Sequence, residues 1–251
     1  MKRLERRHLK QNDLAQSIAA AREFVEPRRK QITATIVAVV VIAVGILGIT
    51  VVRQRSQSRG QELLADAMVA LNARVVPATT PAGQPGEVPA AAQFGATGTF
   101  ATEEAKLNAA LPKLKAAADA YPDNLAGITA RYHYASALAS LGRNADAITE
   151  FDGVEKRAGR DSLYGRMARM GKADAQSHAG QIDAAIASWK ELAADNNSDL
   201  PQDAILMQLA RAYVRKGNTE EAKKAFTEVV DKHPESPYLT EARTELDNLK
   251  G

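Results

Sequence analysis

The residues whose types could do chemistry are few and scattered. The chain has 251 residues, four histidines (His8, His133, His178 and His233) and no cysteine. None of the histidines has a second ligand at the spacing a metal site needs. No H-E-x-x-H, G-x-S-x-G or phosphate-loop pattern occurs. Two acidic pairs, Glu103–Glu104 and Glu220–Glu221, could in principle share acid–base work. Each instead opens a predicted helix, where carboxylates interact favourably with the helix dipole. The absence of cysteine removes disulfides, thiolate ligands, thiol nucleophiles and a lipid-modified cysteine anchor. The sequence therefore reads as non-enzymatic, with no cofactor and no metal expected. A hydrolase with an unrecognised site is the rival reading; it would require activity that is lost when a single acid or histidine is changed.

Composition narrows the alternatives. Aromatic residues are 5% of the chain and the net charge is +3. An aromatic-poor, alanine-rich chain packs helices closely rather than sheets. The small charge gives no reason to expect a nucleic-acid partner, because the basic excess lies mostly in the first 60 residues.

Gln31 to Val52 form 22 consecutive residues without a charge. A helix of that length reaches about 33 Å, enough for a hydrocarbon core. It is apolar all round, unlike a core helix with one polar face, and too long for a signal peptide. Residues 1–30 carry nine Lys or Arg, whereas the twenty residues after the run carry only Arg53, Arg55 and Arg59. The positive-inside bias then predicts a cytoplasmic leader (1–30), one membrane span (31–52) and a domain (53–251) on the other side. In a bacterium this means the inner membrane and the periplasm. In the leader, Leu14, Ile18 and Val25 fall along one stripe of a possible helix.

Pro77 to Ala101 contain four prolines, four glycines and a single charge, Glu87. This composition predicts a flexible insert without helix or strand. Phe94 and Phe100 are its docking candidates.

Beyond it a pattern recurs. Gly142, Ala147, Phe151 and Val154 share their spacing with Gly180, Ala185, Trp189 and Leu192, and with Gly217, Ala222, Phe226 and Val229. The alanines lie 38 and 37 residues apart. Small residues, Ala135, Ala173 and Ala210, precede each glycine by seven. Ala110, Leu114 and Ala117 fit the later half of an earlier copy, which ends in Pro122 as the last ends in Pro234. The spacing is that of a helical hairpin. The glycine turns the chain, the two alanines let the helices approach, and the aromatic one turn on fills the gap to the next hairpin. Proline stops the second helix. A lone hairpin cannot bury both faces, so the units must stack.

This series resembles the tetratricopeptide repeat family. The resemblance covers Leu125 to Pro234 and, less closely, an interrupted copy from Ser56 to Pro122. It implies an all-α fold: the apolar span followed by an α-solenoid of hairpins. Lys172 and Gln176 depart from the pattern where large apolar residues are expected, and Pro112 inside a predicted second helix suggests a kink or a late start. Ser236 and Pro237 read as N-cap and first position of a capping helix over 237–250, with Tyr238, Ala242, Leu246 and Leu249 as its apolar stripe.

Repeat scaffolds of this kind bind proteins or peptides on the concave surface of their first helices. Counting back from each glycine, the candidates are Tyr132 and Ser136, Met170 and Asp174, and Met207 and Arg211. Met68, Met167, Met170 and Met207 all fall on predicted first helices, where flexible thioethers either suit a permissive surface or fill gaps in the core. The Lys/Asn set with which some such repeats grip a C-terminal carboxylate is not evident.

The combination of leader, span and loop-interrupted periplasmic repeats resembles the YfgM-type family, membrane-anchored ancillary subunits of the SecYEG translocon. That resemblance implies a place near the translocon exit, contacting emerging proteins or passing them to periplasmic chaperones. The alternative is a repeat scaffold for envelope assembly or cell division, which the S-P-Y-x-x-E-A-R ending also resembles.

Overall fold

The structure, a computed structural model, describes residues 29–76, 98–195 and 200–250. Most of the predicted leader, and the insert from 77 to 97 including Phe94, lie outside the described residues. The described chain is helical apart from one two-residue strand pair, and it divides into two compact units, Met1–Arg55 and Ser56–Gly251.

Helix α1 (Arg29–Leu71) supplies the described part of the first unit. From Thr33 onward it is long and apolar enough to cross a membrane. Its valines, isoleucines and leucines from Val37 to Val52, such as Val41 at 64% and Leu47 at 64%, are exposed. Thr33 and Thr50 turn their hydroxyls back onto the carbonyls of Lys30 and Leu47, which satisfies the side chains that water would otherwise need to solvate. The helix does not stop at Val52, because no helix breaker follows. Its last part, from Ser56, is the first helix of the second unit.

In that unit α1 ends at β1 (Arg74–Val75), which pairs in parallel with β2 (Thr99–Phe100). The pair closes the base of the insert, with Val76 N–H donating to Phe100 O at 2.9 Å. Thr99 and Phe100 therefore do form strand, contrary to the expectation for 77–101. Their partner lies upstream of the insert, where local composition gives no hint of it. After the strands come α2 (Glu103–Ala120), three hairpins, namely α3 (Leu125–Ser140) with α4 (Asn144–Ala158), α5 (Leu163–His178) with α6 (Ile182–Ala193) and α7 (Gln202–Lys216) with α8 (Thr219–Lys232), and a last helix, α9 (Leu239–Asn248).

Gly142, Gly180 and Gly217 turn their hairpins in the left-handed region, with φ of 74°, 78° and 77°. The residue after each donates its N–H to the same carbonyl, five residues back: Arg143 to Leu138, Gln181 to Gln176 and Asn218 to Tyr213, all at 2.9 Å. This is the bond that closes a Schellman motif and satisfies an orphan helix carbonyl. The predicted alanine pairs, Ala135 with Ala147, Ala173 with Ala185 and Ala210 with Ala222, are all fully buried. Phe151, Trp189 and Phe226 are buried to within 2%. The core runs in two main clusters, and α5 feeds both through Ala168 and Ala175 on one side and Ala173 on the other.

Three local expectations are corrected. Helix α2 begins at Glu103, where Thr102 Oγ1 accepts from Ala105 N–H, and continues through Pro112. That proline is exposed, so the carbonyl it leaves without a donor can face water. The last helix starts at Leu239 rather than Pro237. Ser236 Oγ accepts from Tyr238 N–H and donates to Asp203 Oδ2 at 2.7 Å, which holds the chain in a turn for two more residues. Lys172 and Gln176, out of place in an apolar pattern, are both partnered. Lys172 Nζ meets Asp152 Oδ1 at 2.5 Å, and the buried Gln176 accepts from Ser188 Oγ at 3.0 Å.

Candidate protein-binding surface

The first helices α3, α5 and α7 come next to one another through contacts between their polar residues. Thr129 Oγ1 on α3 donates to Tyr164 Oη on α5 at 2.8 Å. Arg215 Nη1 on α7 donates to Ser177 Oγ on α5 at 2.5 Å, across 38 residues of sequence, one repeat period. Neither contact was expected from the repeat pattern, although polar residues one period apart on first helices are a signal that could have indicated the second.

Tyr132 and Ser136 belong to one turn of α3. Ser136 Oγ donates to Tyr132 O at 3.0 Å. The Tyr132 ring is half-buried, with centroids 5.5 Å from His133, 5.9 Å from Phe151 and 5.9 Å from Tyr164. Burial pushes the Tyr132 phenol above its ordinary value and the His133 imidazole below its own, so both groups favour their neutral forms. On α5, Met170 is partly buried against the C-terminal core. Asp174 Oδ2 lies 3.7 Å from His178 Nε2, one helical turn on. On α7, Arg211 Nη2 is 2.5 Å from Glu241 Oε1 of the capping helix. The pair is about two-fifths exposed, which limits its value to roughly 1 kcal/mol or less.

Met207 is a correction. It is completely buried in the cluster formed by α5 to α9, so it cannot line a surface. The count back from Gly217 places it on α7, but its side chain is enclosed in the core. With Met167 and Met170 packed partly against the same cluster, the gap-filling role of methionine accounts for this set. Met207→Ala is expected to cost about 2–5 kcal/mol of stability, in line with buried large-to-small changes. Chemical denaturation of the detergent-solubilised chain followed by circular dichroism would measure it. Ser136→Ala, on the half-buried strip, should change stability by less than about 0.5 kcal/mol.

The strongest ionic geometry lies behind this surface. Arg131, on α3, joins Asp119 of α2 at 2.7 Å to Glu150 of α4 at 2.5 Å. Lys115, with Arg131 behind it, holds the Asp119 carboxyl below its ordinary value. Arg169 occupies the matching place on α5, 38 residues on; it is 8% exposed, and its Nη2 lies 3.6 Å from Asp195. Both arginines tie a first helix to second-helix segments, which is a positioning role. Among the described residues no group of His, Asp and Glu is placed to hold a metal ion.

Residues 204–236, from α7 to the turn after α8, match the tetratricopeptide repeat family. No curated protein matches the chain. Among solved structures, a candidate kinesin light chain of Podosopora anserina with nearly identical TPR-like repeats is similar at 17% identity and a TM-score of 0.51, over 64% of this chain and 82% of that one. A tetratricopeptide repeat protein of Parabacteroides merdae is similar at 15% identity and a TM-score of 0.48, over 64% of this chain and 58% of that one. MamA of Desulfovibrio magneticus is similar at 25% identity and a TM-score of 0.45, over 58% of this chain and 78% of that one. The first of these likenesses identifies the fold as a stack of tetratricopeptide-like hairpins. Such repeats serve generally as scaffolds for protein–protein contact.

Proposed function

We propose that this chain is a membrane-anchored, protein-binding scaffold whose first-helix surface receives proteins or peptides. The observation that carries this reading is the juxtaposition along one chain of an uncovered apolar helix and a stack of hairpins whose first helices carry the partly exposed Tyr132, Ser136, Asp174 and Arg211. The charge asymmetry around the apolar run supports a cytoplasmic N-terminus and a periplasmic repeat unit, in the inner membrane of a bacterium. The combination of leader, span and interrupted repeats supports an ancillary role at the SecYEG translocon, receiving emerging proteins or relaying them to periplasmic chaperones.

Photocrosslinking in cells from Asp174 and Arg211, which are accessible, and from Val44 in the span tests the reading. Recovery of translocon subunits from Val44 and of chaperones or nascent chains from the two surface positions is the expected result. Recovery of division or outer-membrane assembly factors alone would move the protein to envelope assembly. A periplasm-dependent reporter fused after Arg59 should be active, and an inactive one would reverse the topology.

A further inference from the structure

This inference rests on the membrane-anchored reading and concerns one edge of the repeat unit to which that reading assigns no role. Leu125 and Leu163 are the most exposed leucines among the described residues of the unit, at 68% and 56%. They hold the same place in successive hairpins. Each is the first residue of a first helix, directly after a residue whose side chain caps it, Asn124 or Ser162. The turns that carry them are neighbours: Arg157 Nε, on the helix entering the second turn, lies 3.9 Å from Asp123 Oδ1 in the first.

The chain enters the repeat unit at this same edge. Asn124 Nδ2 donates to Ser56 O at 3.3 Å, and Ser56 lines a cleft of about 300 Å³ with residues 120–124. Ser56 is only four residues beyond Val52, the end of the uncharged run. Four residues reach at most about 14 Å, so chain connectivity alone keeps Ser56 within that distance of the end of the uncharged run. The charges here are mixed, with Lys156, Arg157 and Arg160 set against Asp123, Glu155, Asp161 and Glu191, and Arg160 is already bonded to Glu191 at 2.6 Å. Recognition at this edge is therefore apolar rather than an attraction to anionic headgroups.

We propose that the turns before α3 and α5 rest on the lipid surface, with Leu125 and Leu163 inserted at the boundary of headgroups and acyl chains. Leucine side chains gain there by leaving water. The glycine turns at the other ends of these helices, about 24 Å away at 1.5 Å per residue, then face away from the membrane, and the first-helix surface rises between the two levels.

Because the chain has no cysteine, single-cysteine variants take one fluorophore each. The full chain, reconstituted in phosphatidylcholine–phosphatidylglycerol vesicles containing nitroxide lipids, would carry the probe at L125C, L163C, R143C or V44C. Probes at 125 and 163 should be quenched by headgroup-level nitroxide about threefold more than the probe at 143. Substituting both leucines, L125D with L163D, should lower the quenching of a probe at D123C about twofold, and unchanged quenching there would show proximity by tether alone and overturn the insertion. Aspartate is compatible with a helix start, so the double variant keeps its fold. Quenching of V44C by acyl-chain nitroxide with equal signals at 125, 163 and 143 would overturn this inference and leave the anchor standing. An unquenched V44C would overturn both. Self-quenching between chains without lipid quenching would assign the edge to a second copy and overturn the lipid contact.

Discussion

Gly127→Ala and Gly165→Ala are each expected to destabilise the repeat unit by about 3 kcal/mol or more, at the high end of overpacking changes. The two glycines are third in their helices, and each N–H is the one the cap accepts, Asn124 Oδ1 at 2.8 Å for Gly127 and Ser162 Oγ at 3.0 Å for Gly165. A Cβ at Gly127 would fall on the carbonyl oxygen of Tyr121, and one at Gly165 on the carbonyl oxygen of Gly159, both far inside 3.0 Å. These are backbone atoms of the preceding turn and cannot swing aside as a flexible side chain would. Relief requires opening the turn and losing the cap bond, itself worth about 1 kcal/mol. Gly153→Ala is the control. Its nearest neighbours would be side-chain atoms of Arg131 and Arg157 at 3.4 Å, and alanine favours a helix interior by about 1 kcal/mol over glycine. Urea unfolding of the solubilised chain, followed by circular dichroism, compares all three. Equal behaviour of Gly127→Ala and Gly153→Ala would falsify the close-approach account.

The second large effect is at the joint between the middle hairpins. Phe151 on α4 is 2% exposed, and a Cβ at Gly171 on α5 would come within 3.0 Å of three atoms of its ring. Phe151→Ala should cost about 3–5 kcal/mol. Gly171→Ala alone should cost about 1–3 kcal/mol, because the clash outweighs the gain in helix propensity. With Phe151 already reduced to alanine, the same Gly171→Ala change should become neutral or stabilising by up to about 1 kcal/mol. That reversal of sign is the pairwise coupling a double-mutant cycle isolates. Additive losses would mean that the ring does not occupy the space above Gly171.

Much of this architecture is legible in the order of residues alone. The glycine, alanine and aromatic spacing places the turns at Gly142, Gly180 and Gly217 and the alanine pairs beside them, because each is set by which residue type a local geometry tolerates. The apolar run is equally legible, since length and absence of charge are properties of the string itself. The candidate surface is legible only in part. Counting from glycines finds the correct helices, yet it puts Met207 beside Arg211 as if both faced outward, and one is fully buried while the other pairs with Glu241. A helix face is fixed by what packs against it, and nothing in the local sequence reports that.

The same division runs through the exceptions. Gln176 and Lys172 break the apolar pattern, but Ser188 and Asp152, 12 and 20 residues away, satisfy them. Thr99 and Phe100 look like loop until Arg74 and Val75 supply a ladder. Gly171 has no turn to make; its reason is a ring from the previous hairpin. Local backbone preference and the period of hydrophobic residues act between near neighbours along the chain, so the sequence by itself determined the helices, their turns and the stacking. Which side chains meet across hairpins depends on the angle and register of packed helices. Only the tertiary structure decided which first-helix residues remain exposed for a partner.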